Sequence, residues 1–519
     1  MAHPCRTRKP THVKKGIVIH KLCVLLCRAR LAPALAVPVR IRAVAVAALL
    51  GATVMGSGSA LAVSARVTFT RKPVTHRIGG KVHHAWPRTG RAPRTELARW
   101  LARQVGPTKA QACRTRVHGK LVRCHRKAPP RHGTPLPGGQ LGGSETHAAF
   151  ATATASAPTA TATTSTGSTN LLLVRSYAIP TDDPSYTRLL NWSWTYDSAM
   201  TAAAFSVYGA TSEAQQLLDQ LAALEHTDGS IEVAFNVTDG TAESLFRSGT
   251  IASVGLAGSL YDERTHTTRY LAMEQRAATY LLSLQGSNGL VRGGPDVAWY
   301  STQHNLLAYA FLNLLGNELV SAGERSTANQ YFTAANKISA GIDSKLLVHG
   351  SGTASWFIEG LGDNVQSLDA DALGVPYLVS HGQTSLAQQV LSYTQTAFAV
   401  TGRSIAKSTS AATYNNSYAA AGPFSGFKPF VGTGAPDVLW TEGSAEMLLA
   451  DAALGQSTSA LNASILSIAG LTPASGPLMA DRTVTNQTYD AEFHVWPSAA
   501  AGAWLILGQV HPTLFAKQS

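Results

Sequence analysis

Beyond Cys124 the chain contains no cysteine, and before residue 150 it contains almost no acid. Its five cysteines are Cys5, Cys23 and Cys27, ahead of a hydrophobic segment, and Cys113 and Cys124, within a basic stretch. A C-terminal body without thiols uses neither disulfides nor thiolate-bound zinc, and its wealth of Ala, Ser and Thr suits an exported bacterial enzyme. Cys113 and Cys124 are spaced to pair across a short loop if that stretch lies outside the cell; they do not make a metal site alone. Motifs are missing too. There is no Walker-type loop, GxSxG elbow, Rossmann fingerprint or HExxH pair, so nucleotide, serine-hydrolase and zinc-protease chemistry lack support. No metal and no cofactor is implied.

The scarcity of acid makes the whole-chain net charge of +13 misleading. Residues 1–150 hold 28 of the 43 Lys and Arg against Glu96 and Glu145, a net of +26. The remainder nets −13. A basic arm is thus joined to an acidic globular body. Charge alone allows such an arm to bind nucleic acid, but for an exported protein a solvated tether near anionic envelope polymers or lipid is the better reading.

Residues 1–65 read as a leader and signal segment. Arg40 and Arg42 precede an apolar run, and Ser59, Ala60 and Ala62 offer a cleavage site. The run is shorter than the ~20 residues of a spanning helix, which favours export with cleavage, with a retained anchor as the alternative. The expected localisation is secreted or attached to the cell envelope. Residues 66–168 read as a disordered basic arm and an Ala/Thr/Ser/Gly-rich linker, with one amphipathic piece, TELARWLARQV from Thr95, able to form a short helix. The body spans residues 169–519.

Within the body, six places repeat one design: polar and aromatic residues, then an apolar helix rich in small residues. They begin near residues 194, 248, 301, 367, 440 and 496. Between them lie helices with one charged or Gln-rich face and one apolar face, starting near Ser212, Thr268, Ser326, Thr384 and Ala460. Alternation of wholly apolar and half-polar helices implies buried inner and half-exposed outer ones. The predicted fold is all-α, an (α/α)6 toroid. Eleven helices are clear, and the twelfth is either the segment before Trp192 or absent.

Parallel inner helices bring six N-termini, with their unpaired N–H groups, to one mouth. Trp192, Trp194, Tyr196, Trp299, Tyr300, Trp356, Trp440 and Trp496 fall there, beside His304 and Asn305. Core packing is the default role of each aromatic, but flat rings beside carboxylates and amides suit sugars. The acidic candidates are Asp197, Glu359, Asp363, Asp369, Asp371, Asp437, Glu442 and Glu492. Cleavage of a glycosidic bond usually needs two carboxyls, one as acid and one as base or nucleophile. Glu442 and Asp197 are the first choices, because each follows aromatic residues at a helix start; Asp371 and Asp369 are the reserves. The bland alternative for every one is a first-turn carboxylate favoured by the helix dipole.

The motifs WTYDSAMTAAAF, SGT at Ser248, STQHNLLAYAFL, SLDADALGVPYL, WTEGSAEM and SAAAGAWLILG, with SYAIP and a DGS turn, resemble in this order the six-hairpin glycosidase-like proteins of bacteria. The resemblance spans about Leu171 to Phe515. It implies an (α/α)6 toroid, a carbohydrate substrate and a carboxylate pair, with Gln303 standing where the family usually carries an acid. The expected function is therefore an exported glycoside hydrolase of poly- or oligosaccharides. The alternatives are a surface carbohydrate-binding or scaffold protein, favoured by Gln303 and the arm, and a polysaccharide lyase using Arg247 and Arg292.

Overall fold

The computed structural model describes residues 96–107, 170–406, 418–472, 475–486, 489 and 491–519 with their side chains. It adds the backbone of residues 74–78, 81–85, 91–95, 114–117, 120–123 and 140–141. All of these lie in the unit Pro73–Ser519. The signal segment, most of the Ala/Thr/Ser linker, Cys113 and Cys124 lie outside the described residues.

Thirteen helices occur among the described residues, in chain order α1 (Arg91–Gln104), α2 (Tyr186–Leu189), α3 (Thr195–Tyr208), α4 (Thr211–Leu224), α5 (Ser248–Thr265), α6 (Leu271–Ser283), α7 (Thr302–Ser321), α8 (Arg325–Lys345), α9 (Leu368–Ser380), α10 (Thr384–Ala397), α11 (Thr441–Ala453), α12 (Ser459–Ala469) and α13 (Ala499–Val510). The odd-numbered helices from α3 to α13 each pack on the next, and α13 returns to α3. Six inner helices therefore close a ring. The even-numbered helices from α4 to α12 each cover the inner helix before them. The molecule is an (α/α)6 toroid.

Small residues allow the inner helices to approach closely. A Cβ on Gly255 of α5 would sit 2.3 Å from the Phe311 ring of α7, and one on Gly508 of α13 would sit 2.6 Å from the Ala445 carbonyl oxygen of α11. The outer helices carry the narrower stripes expected of half-exposed ones; α4 buries Ala214, Leu217, Leu218 and Leu221, which recur at helical spacing.

The twelfth helix of the ring is α1. It packs on α13 with Leu97, Trp100 and Leu101 buried. Residues 91–104 fall inside the stretch that reads as a basic arm, and the segment before Trp192 supplies only the single turn α2. Leu97 and Leu101, four apart with Trp100 between them, form an apolar stripe that α13 covers. Further on, the backbone strand Gln140–Leu141 pairs in parallel with Ala491–Phe493.

Short strands, absent from the helical pattern of the sequence, form the rim. Trp192–Trp194 pairs with Glu232–Asn236, and Ala399–Ile405 pairs with Ala420–Phe427. The rim also carries a relay of hydrogen bonds. The first N–H of α5, at Ser248, donates to Gly293 O (2.9 Å), and that of α7, at Thr302, to Glu359 O (2.8 Å). Leu368 of α9 donates to Pro429 O (2.8 Å), Thr441 of α11 to Met479 O (3.0 Å) and Ala499 of α13 to Ser176 O (2.9 Å). For α3 the Thr195 hydroxyl does the same to Glu232 O (2.6 Å). Each inner helix is thus joined at its N-terminus to the loop that leads into the next. All six N-termini share one end of the ring, and the unpaired donors of a helix start are partly satisfied by this relay.

Candidate active site at the mouth of the ring

Carboxyls from three inner helices meet at this mouth. Asp197 in the first turn of α3, Asp369 of α9 and Glu442 of α11 are 5, 3 and 2 % exposed. Burial raises the Glu442 carboxyl well above the usual range, and the charges of Glu446, Asp197 and Asp369 push it further. Burial likewise pushes Asp197 up to about 7, against a hydrogen bond from Ser176. Glu359, on the loop before α9, is raised by burial and then by Asp369 and Asp363. Glu446 is one helical turn beyond Glu442 and is raised by burial and by Asp369. Like charges in a dry site favour their neutral forms. Such groups give up their protons at higher pH than exposed carboxyls do.

Neutral polar groups surround this cluster. Tyr196 hydrogen-bonds Glu442 and accepts the Trp504 Nε1–H at 2.8 Å. Tyr177, in the segment preceding α3, lies edge-on between Trp194 and Trp496, 5.8 Å from each ring. Its hydroxyl is held neutral by burial and by Asp197, Glu442 and Glu492. The His304 ring accepts or donates at Nδ1 to Ser248 Oγ (3.0 Å). Burial and then Arg247 depress its pKa to about 3, so the ring is neutral. Several buried atoms here have no hydrogen-bond partner: Asp197 Oδ2, both amide atoms of Gln303, His304 Nε2, Trp440 Nε1 and Glu442 Oε1. An unsatisfied buried polar atom costs ~1–3 kcal/mol, so their concentration at helix openings marks a place for a polar ligand or water.

Other expected site residues are committed elsewhere. Asn305 clamps the chain: Nδ2 donates to Val291 O and Ser301 O, and Oδ1 accepts the Val291 N–H at 2.7 Å. It is a structural residue. Trp496 is fully buried, stacks on His494 at 3.6 Å and donates to Asp183 Oδ2. Trp440 lies under Gly443, where a Cβ would sit 2.4 Å from its ring. Trp356 stacks on Tyr393 of the outer helix α10, and the Tyr300 hydroxyl packs at Gly286 in the turn after α6. Trp194 and Trp299 remain half-buried. Among the remaining acids, Asp437 pairs with Arg403, Glu492 with His494 Nε2 (2.7 Å), and Asp363 Oδ1 accepts the Val365 N–H.

Asp371 also departs from its reserve role. Oδ1 accepts the Phe357 N–H at 2.7 Å, and Oδ2 lies 2.9 Å from Thr394 Oγ1. The Thr394 hydroxyl also donates to Val390 O, so Oγ1 can accept from a protonated Oδ2. Burial pushes Asp371 up to about 8 despite these bonds. Its folded pKa is above the unfolded one, so the folded chain binds the extra proton and stability falls as pH rises from about 4 to about 8. Asp371→Asn, which supplies a permanent donor to Thr394, should leave activity unchanged. In thermal melts across this range it should lessen the fall by roughly 5 kcal/mol.

The sequence pattern missed Tyr177 and Glu446. Tyr177 lies outside the helix openings; the spacing of four between Glu442 and Glu446 was the available signal for the second.

No protein-family model matches the chain, and no curated protein matches it in sequence. Several solved structures are similar in shape. A wild-type glycosidase is 16% identical, over 65% of this chain and 92% of that one, with a TM-score of 0.48. A bacterial glucoamylase complexed with acarbose is 13% identical, over 62% and 50%, with a TM-score of 0.47. A metal-independent alpha mannosidase of Streptococcus pneumoniae, in a non-productive complex with alpha-1,6-mannobiose, is 15% identical, over 65% and 88%, with a TM-score of 0.41.

Proposed function

We propose that the chain is a glycoside hydrolase acting on a poly- or oligosaccharide at the mouth of the ring, with Glu442 as general acid and Asp197 as base. The observation that carries this reading is the meeting of buried, proton-holding carboxyls from separate inner helices among unpartnered polar atoms. Glu442 is raised by burial and by its acidic neighbours toward the neutral form that a proton donor needs. Asp197, near 7, is poised to accept a proton. Asp369 of α9 raises Glu442 as a like charge, and Trp194, Trp299, Tyr177, Gln303 and His304 supply ring faces and hydroxyl partners. Export through the segment around residues 40–65 is part of the same proposal.

A polyanionic substrate fits poorly. Arg247 is buried in an ion pair with Asp296 (2.8 Å), and acids crowd the mouth. The test is reducing-end release by the purified protein from glucans, mannans, xylans and bacterial exopolysaccharides. Release from one polymer supports the proposal. Thermal stabilisation by a saccharide with no release on any polymer would replace it with a binding role, which the neutral Gln303 amide suits.

A further inference from the structure

A second buried acidic group lies away from the mouth. Asp262 is in the last turn of α5, Glu318 in the last turn of α7 and Glu274 in the first turn of α6. These positions belong to the end of the ring opposite the inner-helix N-termini. One oxygen from each carboxyl lies within 4.8 Å of the other two. Bonds to calcium are ~2.3–2.6 Å, so ligands on opposite sides of the ion are up to about 4.8 Å apart.

Proximity of acids alone proves little, but the surroundings of Glu274 add a separate observation. Glu274 is wholly buried, and Ser259 Oγ donates to its Oε2 at 2.9 Å. Glu274 and Glu318 hydrogen-bond each other, and beyond that the Glu274 Oε1 and both oxygens of Glu318 meet no donor from the rest of the chain. Gly258 of α5 leaves the space for Glu274: a Cβ there would come within 2.8 Å of Oε1. Among the described residues, no Lys or Arg pairs with any of the three acids. The Asp262 oxygens accept the Tyr270 N–H (2.6 Å) and the Thr267 hydroxyl (2.6 Å), which fix that carboxylate and leave each oxygen a further lone pair. The C-terminal ends of α5 and α7 add their negative dipole ends. Three grouped carboxyls, with oxygens that no donor outside the group satisfies and no cation nearby, have the chemistry of a hard-cation ligand set.

We propose that Asp262, Glu274 and Glu318 bind one divalent cation of calcium's kind, which staples α5, α6 and α7 at the end of the ring opposite the mouth. The site is independent of the carbohydrate reading and lies away from Glu442 and Asp197, so its role is stability.

The test uses the full-length protein, stripped with EDTA and then titrated with calcium, and with terbium as a luminescent mimic excited through Tyr261 and Tyr270, which pack 5.2 Å apart beside Asp262. The expected result is a calcium-dependent rise in Tm of ~5 °C and a saturable terbium signal at one ion per chain. Both should be lost in Glu318→Gln, a half-buried position whose oxygens have no partner outside the acid group. A wild-type protein showing neither signal would overturn the proposal, as would shifts that persist in Glu318→Gln and Glu274→Gln. If the acids instead share protons, Glu318→Gln raises Tm at neutral pH with or without calcium, which also overturns it. Should Glu274→Gln fail to fold, the Glu318 variant carries the test alone.

Discussion

Glu442→Gln is expected to cut hydrolysis of the identified saccharide by at least ~10³-fold, the upper range for losing a positioned general acid. The fold should survive, since Gln has nearly the size of a protonated Glu and the native carboxyl is already held neutral by burial and its acidic neighbours. Tm should hold or rise, because one member of a crowded acidic cluster is gone. The pH profile gives the sharper reading. In the native protein kcat/KM should climb as Asp197 ionises near 7 and decline once Glu442 gives up its proton. Asp197→Asn should remove the rising limb along with most of the activity. Full activity in both variants would sink the assignment of this pair.

Trp100→Ala is expected to destabilise the ring by ~3–5 kcal/mol, the usual cost of truncating a buried Trp. Its indole fills a seat made by two glycines: a Cβ on Gly476 would sit 2.2 Å from it, and one on Gly502 of α13 would sit 3.1 Å away. The indole is 3 % exposed, so its loss leaves a buried cavity against α13. For the same reason, a chain cut back to residues 170–519 should melt well below one that starts ahead of α1, because the face of α13 under Leu97, Trp100 and Leu101 would be open to water. Denaturant titration of the point variant and melting of the truncated chain check the two statements. Equal stability of the truncated chain would mean that α1 contributes little.

Much of the ring was legible beforehand, because burial on all sides leaves a strong mark on a helix. Openings read near residues 194, 248, 301, 367, 440 and 496 became helices starting at Thr195, Ser248, Thr302, Leu368, Thr441 and Ala499. The amphipathic piece from Thr95 was readable as a short helix and forms most of α1, but its place in the ring was not, because a long polar stretch separates it from the other helices. Site residues were harder, since membership of a first turn does not say which way a side chain faces. Asp369 and Asp371 are two apart, roughly 200° around a helix. One joins the acids of the mouth, while the other binds the Phe357 N–H and Thr394. Asn305 shows the same ambiguity, as its amide is used up by backbone that only the fold brings near. The rim strands escaped the pattern because Trp192–Trp194 is too short to carry a periodicity and the pairing of Ala399–Ile405 with Ala420–Phe427 is broken by register shifts.

The docking of α1 on α13 sets an order of events. Leu97, Trp100 and Leu101 cannot find their partners until the chain has been made past Gly502, roughly four hundred residues later. The bond from Trp504 to Tyr196 spans 308 residues. Contacts of such separation are slow to form, since the intervening chain must be gathered first. During synthesis the partial ring therefore stands open, with α3 and α11 each lacking one neighbour. It closes in a final step when α13 arrives and both ends of the ring meet on it.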